Sequence, residues 1–190
     1  MTHAVIVTLA VLGVVGQVLA VILLLIGALA LFGVRGPLDL LRDMLWGYEL
    51  WCAFAVAAIA TGGSLFFSQI AHFPPCEFCW FQRVLMYPLS ILTLLIAGRG
   101  DNRAVRYLLP LPVVGACVSI YHLLIENAVI KEPNACLQSA PGGCAVKWIN
   151  EFGYMTIPTL ALTAFVLLIG FLGLAVAGRD HEVANLAADA

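Results

Sequence analysis

Apolar positions along the chain fall in long runs, not in the short alternating stretches of a half-buried strand. Five runs reach or approach the ~20 residues that a helix needs to cross a bilayer. They are Val5 to Phe32, Trp51 to Ile70, Trp80 to Ala97, Tyr107 to Ile125 and Ile157 to Ala177. Backbone polar groups in hydrocarbon must be bonded within their own segment, so each run predicts a helix. The pattern of a membrane β-barrel, many short alternating strands, is absent from the sequence. The expected fold is therefore an all-α membrane protein of five spans.

The connections add detail. Gly36-Pro37 is a good helix start. After it Leu38, Leu41, Leu45 and Tyr48 can share one face, with Asp39, Arg42 and Asp43 left to water, as in a short helix lying on the membrane surface. The stretch Trp148 to Phe152, ahead of Pro158, reads either as a second surface helix or as a plain loop. The first run lacks Lys or Arg in Met1 to His3 and is about twice as long as a signal-peptide core, which predicts a retained helix. Its Gly13, Gly16 and Ala20 either allow close approach of another helix or belong to an ordinary lipid-facing surface.

Composition agrees with the runs: 63% of the 190 residues are hydrophobic and 11% charged, against the roughly 25% charged of soluble domains. A net charge of -2 without a basic stripe gives no reason to expect a nucleic-acid partner. The placement of the cations predicts orientation. Arg35, Arg42, Arg99, Arg103, Arg106 and Arg179 fall on one side, and only Lys131 and Lys147 on the other. Positive residues favour the cytoplasm, so the amino terminus is expected outside and the carboxyl terminus inside.

On that topology the pairs Cys76/Cys79 and Cys136/Cys144 both face outward, where disulfides persist. In Phe73-Pro74-Pro75-Cys76-Glu77-Phe78-Cys79-Trp80-Phe81-Gln82-Arg83 the prolines stop the preceding helix, and a new one starts around Cys79. A helix amino terminus favours a thiolate, the form that attacks disulfides or donates electrons. Arg83, four residues after Cys79, can share its helix face. A guanidinium at that depth needs a partner such as a thiolate or a quinone oxygen; the bland alternative is an inert disulfide with Arg83 reaching to the interface. Between Cys136 and Cys144, Pro141, Gly142 and Gly143 let the loop turn. This predicts a short, exposed disulfide open to a visiting thiolate, or a simple loop staple. Cys52 and Cys117, amid apolar residues, are assigned to packing.

The arrangement Cys-x-x-Cys-Trp-x-Gln-Arg, followed by an outer loop with a second cysteine pair, resembles the DsbB family and its BdbC-like branch. Phe152 to Pro158, leading into the last run, is similar to that branch as well. The resemblance covers about residues 50–177. It implies a four-helix bundle that reoxidises a DsbA-like, thioredoxin-fold thiol oxidase and reduces ubiquinone or menaquinone in a bacterial cytoplasmic membrane. Carried over, Cys136 is the cysteine attacked by the partner and Cys144 completes its disulfide. Cys76 and Cys79 are the membrane-proximal pair, Cys79 donating to quinone, and Arg83 holds the quinone oxygen. His122 is the candidate for a histidine near the same site. The chain then divides into an extra transmembrane helix (1–34), an interfacial cytoplasmic linker (35–49), the redox bundle (50–177) and a cytoplasmic tail (178–190). Three other readings remain at this point. A vitamin K epoxide reductase-like protein would carry its cysteine pairs in the reverse order. A zinc site would use four thiolates with His72 nearby, although no metal is expected here. A structural protein would hold two inert disulfides.

Overall fold

A computed structural model describes residues 2–100 and 104–188, the side chains up to residue 178; Arg103 and the side chain of Arg179 lie outside the described residues. The helices are α1 (Thr2–Leu31), α2 (Gly36–Leu45), α3 (Glu49–Leu65), α4 (Glu77–Arg99), α5 (Val105–Leu108), α6 (Pro110–Glu126), α7 (Asn134–Ser139) and α8 (Ile157–Ala188). Five segments are long and apolar enough to cross a membrane: α1, α3 with its continuation, α4, α5 with α6, and the first part of α8. No strand occurs among the described residues. The all-α expectation holds.

Span ends differ from the apolar runs for local reasons. The second span finishes in a π-helical turn, Phe66–Ile70, a wide turn often found near functional sites. Beyond it His72 adopts a left-handed φ of 57°, and the chain passes extended through Pro74 and Pro75. The third span starts at Glu77, one turn ahead of its apolar run, because Cys76 caps it in an extended conformation. It ends at Gly100 with φ 66°, a turn that glycine enters without a Cβ clash. Pro110 starts α6, its missing N–H falling where a helix needs none. The last helix continues past Ala177 as far as Ala188.

Half of the α8 span is buried, against 22 to 39% for the others, so α8 is the axis of the bundle. Phe165, Leu168 and Leu172 on α8 meet Ala53 and Ala57 of α3, Leu89 of α4 and Ala116 of α6 in one core. Gly115 of α6 lies so close to the Phe165 ring that a Cβ there would overlap it. Small residues permit such helix contacts where lipid provides no hydrophobic drive. On α1, Gly13 faces Leu160 and Met155, and Gly16 faces Thr163 and Leu167. The small face of α1 is thus its seam with α8.

Two expectations need correction. In α2, Leu38, Leu41 and Leu45 do pack on the core, but Tyr48 lies beyond the helix and is exposed. Arg42 is half-buried and stacks over Trp46 at 5.7 Å, its stem covering apolar surface as long cationic side chains do. Cys117 faces out of the bundle, while Cys52 is half-buried. Trp148 to Phe152 is a loop, closed by a single bridge between Glu151 and Met155.

Candidate active site

The two cysteine pairs meet at one end of the bundle. Cys76 is the N-cap of α4, its Sγ accepting a hydrogen bond from the Cys79 N–H at 3.4 Å. A cap of this kind satisfies a backbone donor that the first helical turn leaves free. The two sulfurs, both free thiols, lie 2.8 Å apart. Sharing a proton with Cys79 pushes the Cys76 thiol above its ordinary range, and burial adds to the effect.

Cys136, on the short α7, is disulfide-bonded to Cys144. This pair is not exposed as its glycine-rich loop suggested: Cys136 is 0% and Cys144 2% accessible. Three contacts fold the loop inward. The Glu132 carboxylate accepts a hydrogen bond from the Cys144 N–H and presses on Gly143, where it leaves no room for a Cβ. Ser139 Oγ accepts from the Glu77 N–H at 3.2 Å, tying α7 to the start of α4. Ile125 and Ala140 pack with Cys76, Cys136 and Cys144 in one apolar cluster.

His122 links the pairs. Its Nε2 lies 3.1 Å from the Cys144 carbonyl and 3.7 Å from Cys76 Sγ. A proton on Nε2 satisfies the carbonyl, leaving Nδ1 an acceptor, buried and without a hydrogen-bond partner among the described residues. Phe78 packs on the imidazole at 5.7 Å and on Tyr121 at 5.3 Å. One helical turn on, buried Glu126 accepts a 2.8 Å hydrogen bond from Thr156.

Arg83 lies one turn below Cys79 and is buried. Its Nε donates to Ser64 Oγ at 3.0 Å and an Nη to the Ser64 carbonyl at 3.1 Å, while its guanidinium stacks over Trp80 at 5.3 Å. Tyr87 joins Ser64 Oγ at 3.3 Å. Among the described residues no carboxylate pairs with this cation, so its charge is held by neutral dipoles and remains available to an anion. Cys79 and Arg83 both border a cavity of about 290 Å³ whose other walls are mostly aliphatic. That volume is at the lower end of the ~300–1,000 Å³ of small-molecule sites.

The structure thus brings Cys76, Cys79, Cys136, Cys144 and His122 together, with Arg83 one turn deeper on the cavity side. The four-thiolate zinc arrangement is not assembled, because Cys136 and Cys144 are bonded to each other. Two sets of three potential ligand groups lie within 4.8 Å of one another, Cys76, Cys79 and His122, and Glu132, Cys136 and Cys144, but in the second both sulfurs are taken up by the disulfide. Sequence reasoning missed Ser64, Tyr87, Glu126 and Glu132. Tyr87 and Glu126 follow Arg83 and His122 by one turn, a spacing that marks them in retrospect; Ser64 and Glu132 reach the site through tertiary contact and carry no such signal.

Residues 48–175 match the family model "Disulfide bond formation protein DsbB". The chain belongs to the DsbB family. It is similar to Disulfide bond formation protein C of Bacillus subtilis (strain 168), with 44% identity over 124 residues, 65% of this chain and 88% of that protein. A Probable disulfide formation protein of Coxiella burnetii (strain CbuK_Q154) is 39% identical over 143 residues, 75% of this chain and 97% of that protein. No solved structure matches. As a DsbB-family member the chain is a multi-pass membrane protein with an oxidoreductase role in disulfide formation, and α1 and α2 lie outside the family match. The family separates it from the vitamin K epoxide reductase-like reading.

Proposed function

We propose that this protein is a thiol:quinone oxidoreductase that reoxidises an extracytoplasmic, DsbA-like thiol oxidase. The observation that carries this reading is the line of groups from Cys136–Cys144 through His122 and Cys76/Cys79 to Arg83 at the cavity. In the first exchange a partner thiolate attacks Cys136, the Cys136–Cys144 bond breaks, and the partner leaves with its own disulfide. Cys144 then attacks the Cys76–Cys79 disulfide at Cys76, releasing Cys79 as thiolate. Resolution by Cys136 restores the loop disulfide and leaves the membrane pair as a dithiol. His122, within reach of Cys76 and the Cys144 backbone, is suited to move the proton between the pairs. A membrane quinone, ubiquinone or menaquinone, supplies the oxidising power, accepting two electrons and two protons as the Cys76–Cys79 bond re-forms.

The cavity fits such an acceptor, since an unpaired guanidinium at its polar end stabilises negative charge on an oxygen and aliphatic walls suit its apolar body. The bacterial cytoplasmic membrane is the expected location, with both cysteine pairs outside. Mixing the detergent-purified chain with a reduced thioredoxin-fold oxidase and quinone should deplete quinone absorbance. In Cys79→Ser the depletion should cease while the helical signal by circular dichroism stays intact; full turnover by that variant would remove Cys79 as donor.

A further inference from the structure

The redox chemistry leaves α1 unused, and the family match begins after it. Nevertheless α1 forms one wall of the cavity that holds Cys79 and Arg83, through Leu9, Leu12, Gly13, Val15, Gly16 and Leu19. Val56, Ile59 and Ala60 of α3 line it as well. The seam between α1 and α8 is closed, because Gly13 and Gly16 bring the two helices into contact and Gln17 accepts a 3.1 Å hydrogen bond from the Tyr154 hydroxyl. On the α3 side, α1 comes close where Leu9 lies over Gly63, near enough that a Cβ there would be in van der Waals contact with it, next to Ser64. Farther along α1, Leu12, Val15, Leu19 and, across from them, Ile59 are cavity walls and exposed at once. The cavity therefore opens sideways between α1 and α3, in the part of the bundle that faces hydrocarbon. One end is cationic and enclosed; the other is an aliphatic slit leading to lipid. That shape fits a molecule with a small polar ring and a long apolar tail.

We propose that α1 is the tail-binding wall of the acceptor site, holding the first isoprenoid units of the quinone against α3 while the ring lies by Arg83. The inference rests on the quinone reading above. It makes Leu12, Val15 and Leu19 specificity-determining residues for the tail.

Leu12→Trp and Val15→Trp, made singly in the full chain, fill the slit from its mouth. KM is measured for a long-tailed quinone and for the same ring without a tail, at saturating reduced partner. The ratio of the two KM values should rise about tenfold, as lost burial of about two methylene groups implies. An unmoved ratio overturns the assignment of α1, provided the unsubstituted chain reduces both quinones; if it reduces neither, the quinone reading itself fails and this inference with it. A second measurement needs no substitution or turnover. A quinone with a photoreactive tail should label the peptide containing Leu9 to Leu19, and unlabelled long-tailed quinone should compete. Label confined to other helices, or displaced equally well by phospholipid alone, shows an acyl-chain groove and overturns the proposal.

Discussion

Arg83 carries a full charge in apolar surroundings with a serine, a tryptophan face and, among the described residues, no acid beside it. A cation kept that way is poised for an oxygen that gains charge during reaction. Arg83→Met should therefore raise KM for quinone by about ten- to a hundredfold, the equivalent of one charged hydrogen bond, and leave KM for the partner within about twofold of its original value. Steady-state kinetics with each substrate varied in turn checks this, and the reverse pattern would move Arg83 out of the acceptor site. Cys76 allows a test by pH. Its raised pKa, caused first by the proton shared with Cys79 and then by burial, means that the reactive thiolate appears only above the pH at which an ordinary thiol ionises, ~8.5. In the reduced protein, alkylation of Cys76 by iodoacetamide should be slow at pH 8 and still accelerating above pH 9. Peptide mapping by mass spectrometry reads the rate; a plateau by pH 8.5 would contradict the shared proton.

At the scale of elements, the loop over 131–146 is held less by its own turns than by Glu132 at Cys144 and Ser139 at Glu77. Removing the carboxylate should let the loop open more often. A hydrogen bond to a charged group is worth ~1.5–3 kcal/mol, so Glu132→Ala should speed reduction of Cys136–Cys144 by dithiothreitol about tenfold or more, measured by gel shift after thiol capture. The burial of this disulfide was not legible in the sequence. Pro141, Gly142 and Gly143 advertise a turn, yet whether a turn faces water or protein depends on what it meets, here α4 and α6. The same holds for the π-helical turn at Phe66–Ile70, a Phe-Phe-Ser-Gln-Ile stretch with no glycine or proline to mark a change of turn. By contrast the start of α4 was readable to within about a turn, around Cys79 where the helix begins at Glu77, because the prolines ahead of it act locally.

For the whole molecule, five long apolar runs left few alternatives, and the five spans follow the pattern closely because hydrocarbon forces every backbone bond inward. Which face of each helix meets which neighbour was less legible: most of these helices are apolar all round, and contacts are set by small residues such as Gly115 against Phe165. The unequal distribution of Arg and Lys predicts orientation. In intact cells, a membrane-impermeant maleimide should modify reduced Cys79 after mild treatment with reductant, whereas a cysteine placed at Arg99 should react only after permeabilisation. The opposite result would place the redox end in the cytosol and end the proposed function. A last consequence comes from the disulfide folded beneath its own loop. A sulfur bond so covered is insulated from stray reductants in the medium, which arrive without the docking surface needed to lift the cover. If the proposed function holds, such shielding restricts current through the membrane to the cognate donor and spares the quinone pool from idle discharge.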